Sequence, residues 1–225
     1  MTADPLAGLG PKVFVTDFDG TMTGVDFYEL VLHHVPNIEK PDYWAECVAG
    51  RLTHVAALHG IFQQAPRDLA ELTRWLPEAK LDPLTAQAVR QLRTAGWDIV
   101  VVSAGSEWYI QQLLDDVRND VRIIANPGGY SDDQGLWMGW PPADALWHCP
   151  HFGVDKSKIV QHLLDRGATV AFAGDGRPDL SAIRRVAARY RFARGWLSEV
   201  LATEGLDHQV FATWSDIAPR LTAQG

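Results

Sequence analysis

Val13-Phe14-Val15-Thr16-Asp17-Phe18-Asp19-Gly20-Thr21 is the stretch on which the fold turns. It opens as a β-branched and aromatic run that stops at an acid, the pattern of a strand buried on both faces of a parallel sheet. Two further runs have the same form, Ile99-Val100-Val101-Val102-Ser103 and Thr169-Val170-Ala171-Phe172-Ala173-Gly174-Asp175. Helical patterns flank them: Pro83–Ala95 before the second, Glu107–Val117 after it and Ser157–Arg166 before the third. Strands and helices alternating in this way specify an α/β fold with a doubly wound parallel sheet. Ligands of such sheets bind beyond the carboxyl ends of the strands. Asp17, Ser103 and Asp175 are therefore expected to face one cleft.

Moving outward, a βαβ crossover takes about 30 residues, and far more chain than that separates Asp19 from Ser103. The surplus reads as helices over Phe27–Val35, Tyr43–Ala49, Thr53–Phe62 and Arg67–Trp75, bounded by Pro36, Pro41, Pro66 and Pro77. The expected organisation is a core of residues 1–24 and 78–225 carrying an inserted helical cap of residues 25–77. Asn126–Trp140, rich in Gly and Trp with short alternating runs, reads as a small β-hairpin flap. Beyond it the pattern gives a strand at Tyr190–Ala193, a helix at Trp196–Glu204, a short strand near Val210 and a last helix.

The 225 residues suffice for one large domain or a core with an insertion, and 47% hydrophobic content can fill a sizeable core. A net charge of −8 argues against nucleic acid or an anionic membrane as partner. Cys47 and Cys149 alone make no disulfide framework and suit a reducing cytosol. The N-terminal residues lack the basic and apolar runs of a signal peptide, and no apolar stretch reaches membrane-spanning length. The expected location is cytoplasmic. Oligomeric state is not written in the sequence.

The chemistry begins with Asp17 and Asp19. Residues two apart on extended chain face one side, so both carboxylates could address one reacting phosphorus. One would attack as a metal-activated nucleophile; the other would protonate the leaving oxygen and then activate water. Gly20 permits a sharp turn beneath a bound group, with Thr21 completing the motif. A bare Asp-x-Asp is more often a solvated acidic turn. The second segment, Gly174-Asp175-Gly176-Arg177-Pro178-Asp179, changes that balance, because it adds Asp175 and Asp179 to the same cleft. Four carboxylates cannot sit together uncompensated. A hard divalent cation with oxygen ligands resolves the conflict, and Mg²⁺ fits where a phosphate completes the shell. Ser103 and the N–H groups of Ala104 and Gly105 could donate to phosphate oxygens near a helix start. Lys156 could bring positive charge against phosphate and nucleophile. A lone Ser or Lys is usually structural; the ordered set is not.

In this order, Asp-x-Asp-Gly-Thr, Ser, Lys and Gly-Asp-x-x-x-Asp, the chain resembles the haloacid dehalogenase superfamily. The resemblance implies a Rossmann-like core and a phosphatase passing its substrate's phosphate through an aspartyl intermediate. It makes Asp17 the nucleophile and Asp19 the general acid/base, with Ser103 and Lys156 binding phosphate and Lys158 the alternative lysine. Magnesium would be held by Asp17, the main-chain carbonyl of Asp19 and Asp175, with Asp179 in support. Dehalogenating members lack the second acid, so Asp19 favours phosphoryl transfer. A helical cap between the first two motifs is similar to the phosphoserine phosphatase-like subfamily. Within it, Thr23-Gly24-Val25-Asp26, Trp137–Pro141 and Phe192-Ala193-Arg194 through Phe211 and Asp216-Ile217 resemble the methionine-salvage phosphatases acting on 2-hydroxy-3-keto-5-methylthiopentenyl-1-phosphate. Those enzymes usually carry several cysteines before the motif lysine, where this chain has Cys149 alone.

The substrate is thus expected to be a small phosphorylated metabolite. Asp26 sits where the subfamily places an acid for a substrate amine, and it reads equally as the N-cap of Phe27–Val35. No Arg or Lys lies between Arg51 and Arg67 to take a phosphoserine carboxylate. Trp137 and Trp140 could wall the substrate pocket. His33, His34, His54 and His59 have spacings that suit core or solvated roles. His148, Cys149 and His151 could form part of a zinc site but lack an evident fourth ligand. Phosphoserine phosphatase, a phosphotransferase or mutase, and a non-catalytic phosphate-binding regulatory module are the competing functions.

Overall fold

The computed structural model describes residues 5–35 and 42–223; Pro36 and Pro41, expected to bound two helices, lie outside them. In chain order, β1 (Lys12–Thr16) is followed by α1 (Phe27–His34), α2 (Tyr43–Val48), α3 (His54–Phe62), α4 (Leu69–Trp75) and α5 (Thr85–Thr94). Then come β2 (Asp98–Ser106), α6 (Glu107–Leu113), β3 (Val121–Asn126), β4 (Gly128–Ser131), β5 (Gly135–Met138), β6 (His148–Cys149) and β7 (Gly153–Val154). The chain closes with α7 (Lys156–Asp165), β8 (Thr169–Gly174), α8 (Leu180–Ile183), β9 (Arg191–Ala193), α9 (Gly195–Thr203), β10 (Gln209–Val210) and α10 (Ile217–Thr222).

Six strands pair in parallel in the order β10-β9-β8-β1-β2-β3. The expected α/β sheet is there, with the three anticipated runs at its centre. β1 lies between β2 and β8, with Thr16 beside Val101 on one flank and Ala173 on the other. The chain winds outward to β3 on one side and then returns past β1 to β8. β1 therefore borders the switch point, where α/β sheets open a crevice. Val13, Phe14 and Val15 are fully buried. Phe14 stacks on Trp214 at 5.8 Å and meets Phe192 edge-on at 6.5 Å. Trp214 also donates its indole N–H to Thr16 Oγ1 at 2.9 Å, fixing the last residue of β1 from the far end of the chain.

Sequence alone did not single out β3 or the short β6–β7 hairpin. β3 is an edge strand whose apolar run is broken by exposed Arg122, and two-residue strands carry no period. The expected flap is the antiparallel β4–β5 hairpin, with Gly128 opposite Met138 and Ser131 opposite Gly135. It is pinned to α3: Gln63 Nε2 donates to Leu136 O at 2.8 Å, and His59 Nδ1 lies 2.8 Å from Met138 O.

Helix starts follow local chemistry. Thr53 caps α3 through the Ala56 N–H, Asp68 caps α4 through Ala70 and Glu71, and Asp155 caps α7 through Ser157 and Lys158. Each such cap contributes about 1 kcal/mol. α1 has no such cap. Asp26 occupies its N-cap position but makes no side-chain capping bond, so the N-cap reading holds for its backbone and fails for its carboxyl. The Phe27 N–H donates instead to Asp19 Oδ1 at 3.1 Å. Among the described residues no helix is long and apolar enough to cross a membrane.

Candidate active site

Asp17 follows directly on β1, and its N–H donates to Ala173 O of β8 at 2.9 Å, so the sheet itself aims this side chain. Asp175 comes directly after β8, and Asp179 lies in the turn before α8. Lys156 is the first residue of α7, placed there by the Asp155 cap. Its ammonium donates to Asp17 Oδ1 at 2.5 Å and Asp179 Oδ1 at 2.6 Å, with its side chain 1% exposed. Lys158 points elsewhere and donates to His148 O at 2.8 Å, which separates the two candidate lysines by geometry.

Carboxylate oxygens of Asp17, Asp175 and Asp179 lie within 4.8 Å of one another. Thr21 Oγ1 donates to Asp175 Oδ1 at 2.8 Å. Asp179 Oδ2 accepts from the N–H groups of Asp175 and Gly176, at 3.1 and 3.0 Å, which turns the other oxygen toward Lys156. Gly20, at φ +69°, runs so close to Asp175 that a Cβ there would collide with its carboxylate. Burial drives the Asp17 carboxyl well above the usual range, reinforced by Asp179 and opposed by Lys156. Burial, followed by Asp179, raises Asp175 to about 6. Burial alone would pull the Lys156 ammonium down; Asp17 and Asp179 hold it above its ordinary value. Three acids against one lysine leave the cluster short of positive charge, and its donors are all oxygen. That set fits a hard divalent cation. Among the described residues no other group of three His, Cys, Asp or Glu side chains converges this way, and His148, Cys149 and His151 do not.

The Asp19 carboxylate is not part of this trio; its expected contribution to the metal was its main-chain carbonyl. The N–H groups of Thr21, Met22 and Thr23 all turn back on Phe18 O. Asp19 instead accepts from Tyr109 Oη at 2.5 Å, Ser103 Oγ at 3.3 Å and the Phe27 N–H. Burial raises its carboxyl, and the Tyr109 bond opposes the rise. Tyr109 is fully enclosed and stacks on Phe27 at 4.4 Å. Burial and then the Asp19 charge keep its phenol protonated.

Ser103 sits where β2 loses register with β3, and its Oγ accepts the Gly105 N–H at 2.9 Å. The helix beyond it starts at Glu107, capped by Ser106, rather than immediately after Ser103. Ser103, Ala104 and Gly105 line a cavity of about 840 Å³ together with Asp17, Asp19, Asp26, Lys156 and Asp175. Trp44, Val48, Leu58 and Phe62 line it as well, with Leu180 and Trp196. Trp137 and Trp140 are not part of it. Trp137 lies beside Gly129 across the hairpin, and Trp140 donates its indole N–H to Pro150 O at 2.9 Å.

Asp26 does face the cavity. Burial, then Asp19, raises its carboxyl to about 8. Sequence reasoning gave His54 a core or solvated role and assigned no site role to Arg177, Arg194 or Tyr109. His54 packs against Trp44 and Phe152, and burial lowers its imidazole to about 4, so it is neutral. Arg177 lies over the Trp196 ring at 5.1 Å. Arg194 donates to Gly20 O and Thr23 O, both at 2.6 Å, and so fixes the turn that carries Asp19. Tyr109 is the fourth. All four act through contacts distant in sequence, for which a single chain carries no periodic signal; only the quoted Phe192-Ala193-Arg194 stretch marked one of them.

The comparisons agree with this geometry. A family model described as haloacid dehalogenase-like hydrolase matches residues 14–184. A 2-hydroxy-3-keto-5-methylthiopentenyl-1-phosphate phosphatase of Bacillus velezensis is 26% identical, covering 96% of this chain and 89% of its own. One from Brevibacillus brevis is 24% identical, covering 91% and 92%. A crystal structure of phosphoserine phosphatase from T. onnurineus superposes with a TM-score of 0.61 at 16% identity, covering 96% of this chain and 98% of that one. By the family match over most of its length, the chain belongs to the haloacid dehalogenase-like hydrolases.

Proposed function

We propose that this hydrolase is a magnesium-dependent phosphatase that cleaves a small phosphomonoester through an aspartyl-phosphate on Asp17. The observation that carries the reading is the buried Lys156 ammonium bridging Asp17 and Asp179 beside Asp175. Asp17 Oδ attacks phosphorus as the bond to the leaving oxygen breaks, and Asp19 delivers a proton to that oxygen. Asp19, now a carboxylate, takes a proton from water, which attacks the aspartyl-phosphate and frees inorganic phosphate and Asp17. Lys156 holds the nucleophilic carboxylate in place and sets positive charge beside the transferring group. Ser103 and the Ala104 N–H would receive phosphate oxygens, the Ser103 hydroxyl turning its proton from Asp19 to the substrate. Magnesium, held by Asp17, Asp175 and the Asp19 carbonyl with Asp179 in support, would neutralise phosphoryl charge.

The helices of residues 25–77 serve as a cap over this site, since α2 and α3 supply Trp44, Val48, Leu58 and Phe62 to the cavity wall. That wall favours an apolar leaving group of the methionine-salvage type named for the relatives over phosphoserine. Of the lining cations, Lys156 is engaged by two aspartates and Arg177 lies over Trp196. Asp26, protonated at neutral pH, offers a hydrogen-bond donor rather than a fixed anion for an amine. Two free cysteines are consistent with a cytoplasmic setting.

The test is release of inorganic phosphate from a panel of phosphorylated metabolites, with and without Mg²⁺, by wild type and Asp17→Asn. Wild type should be metal-stimulated, and Asp17→Asn should lose at least about 10⁴-fold in turnover while keeping its fold. Transfer to added alcohols without net phosphate release would make it a phosphotransferase or mutase. No turnover of any ester would leave a phosphate-binding module.

A further inference from the structure

We infer that Tyr109 is the positioning residue of the general acid, its hydroxyl holding the Asp19 carboxyl in the orientation from which it serves the leaving group and water. The inference rests on the proposed role of Asp19 and adds to it.

In Asp19, Oδ2 receives both hydroxyls, Tyr109 Oη at 2.5 Å and Ser103 Oγ at 3.3 Å. A serine hydroxyl has one proton to give, so once Ser103 turns it to a phosphate oxygen, Tyr109 is what holds Oδ2. Oδ1 receives the Phe27 N–H at 3.1 Å. Among the described residues no lysine or arginine is bonded to this carboxylate; Lys156 is committed to Asp17 and Asp179. Uncharged donors fix Asp19, and the shortest of these bonds comes from Tyr109.

The tyrosine is itself immobile. Its ring stacks on Phe27 at 4.4 Å and meets Phe62 edge-on at 6.4 Å and Phe18 at 6.1 Å. Phe27 contributes twice, through its N–H to Oδ1 and through its ring to Tyr109. The first residue of α1 and the third of α6 thus grip the two oxygens of one carboxylate from opposite sides. Without the hydroxyl, and with Ser103 turned to phosphate, Oδ2 has no donor among the described residues and the carboxyl can rotate about χ2.

Tyr109→Phe keeps the ring and its stacking and removes only the hydroxyl. The readout is kcat/KM for an alkyl phosphate divided by that for p-nitrophenyl phosphate, measured on one preparation. A misfolded fraction lowers both values equally and cancels in the ratio. p-Nitrophenolate leaves without needing a proton, whereas an alkoxide does not. The ratio should fall by roughly 10–100-fold, the scale of a displaced catalytic group. An unchanged ratio, whatever the absolute loss, overturns the inference. Asp19→Asn run alongside separates the two levels. If its ratio falls while that of Tyr109→Phe does not, Tyr109 is structural and the acid role of Asp19 stands. If neither ratio falls, the role of Asp19 itself is wrong.

Discussion

The two walls of the cavity are built by opposite means. One is polar and comes from the sheet rim: Asp17, Asp175 and Lys156 sit at strand ends and a helix start, held by short bonds to each other and to the fully buried Asp179. The other is apolar and comes from α2 and α3, where Trp44, Val48, Leu58 and Phe62 present only shape. Position in the polar wall is over-determined by directional bonds. In the apolar wall it is set by packing, which tolerates substitution more readily. Under the proposed function the reaction would belong to the first wall and selectivity to the second, and the two should respond differently to perturbation.

The strongest challenge to that division is Lys156→Met. Removing the ammonium leaves Asp17 and Asp179 facing each other without a counter-charge, which should cost about 3–5 kcal/mol of stability along with most turnover. Urea unfolding would read the loss, and added Mg²⁺ should restore part of it. A variant as stable as wild type would mean the acids are better solvated than the structure places them. Trp44→Ala addresses the other wall. It should raise KM for an apolar phosphomonoester roughly tenfold while leaving kcat nearly unchanged. A fall in kcat with constant KM would erase the distinction between the walls.

A smaller effect concerns protons. In the folded chain without metal, Asp26 and Asp175 keep theirs to about 8 and about 6, whereas unfolded carboxyls release them near 4. Between those values the native state binds more protons than the unfolded one, so stability must decline as pH rises. That contribution is full below about 4 and lost as pH passes through 6 and then 8. Melting of chelator-treated protein should give a Tm several degrees lower at pH 9 than at pH 6, and Mg²⁺ should flatten the part of the slope due to Asp175. A melting temperature that rises over this range would contradict the burial of these two acids. Smallest of all, Trp140→Ala should shift kcat/KM by less than about twofold, since its indole serves Pro150 outside the cavity.

The sequence carried the polar wall nearly whole. Strand runs ending in acids, a helix capped just before Lys156 and paired carboxylates are local patterns, and each maps onto a sheet terminus by topology alone. It directed Asp17 and Asp19 to one cavity, which both line, although the period-two argument stops at a turn that begins at Phe18. It left the apolar wall unread. Trp44 and Leu58 look like any amphipathic helix residues, and nothing local distinguishes a side chain facing a cavity from one facing a core. The same limit explains Trp137 and Trp140: aromatic enrichment of the hairpin was visible, its direction was not. Tyr109 was out of reach because its partner lies 90 positions away.

Arg194 carries a consequence for how the protein comes to life. Its guanidinium ties down the carbonyls of Gly20 and Thr23 across 174 positions of chain, and Lys156 reaches Asp17 across 139. On a translating ribosome, which adds about 5–20 residues each second, the motif acids emerge many seconds before the cations that organise them. Until then they are a loose acidic hairpin bend with neither clamp nor counter-charge. Under the proposed function, a nascent chain of this kind should be inert toward phosphoesters until both Lys156 and Arg194 have emerged.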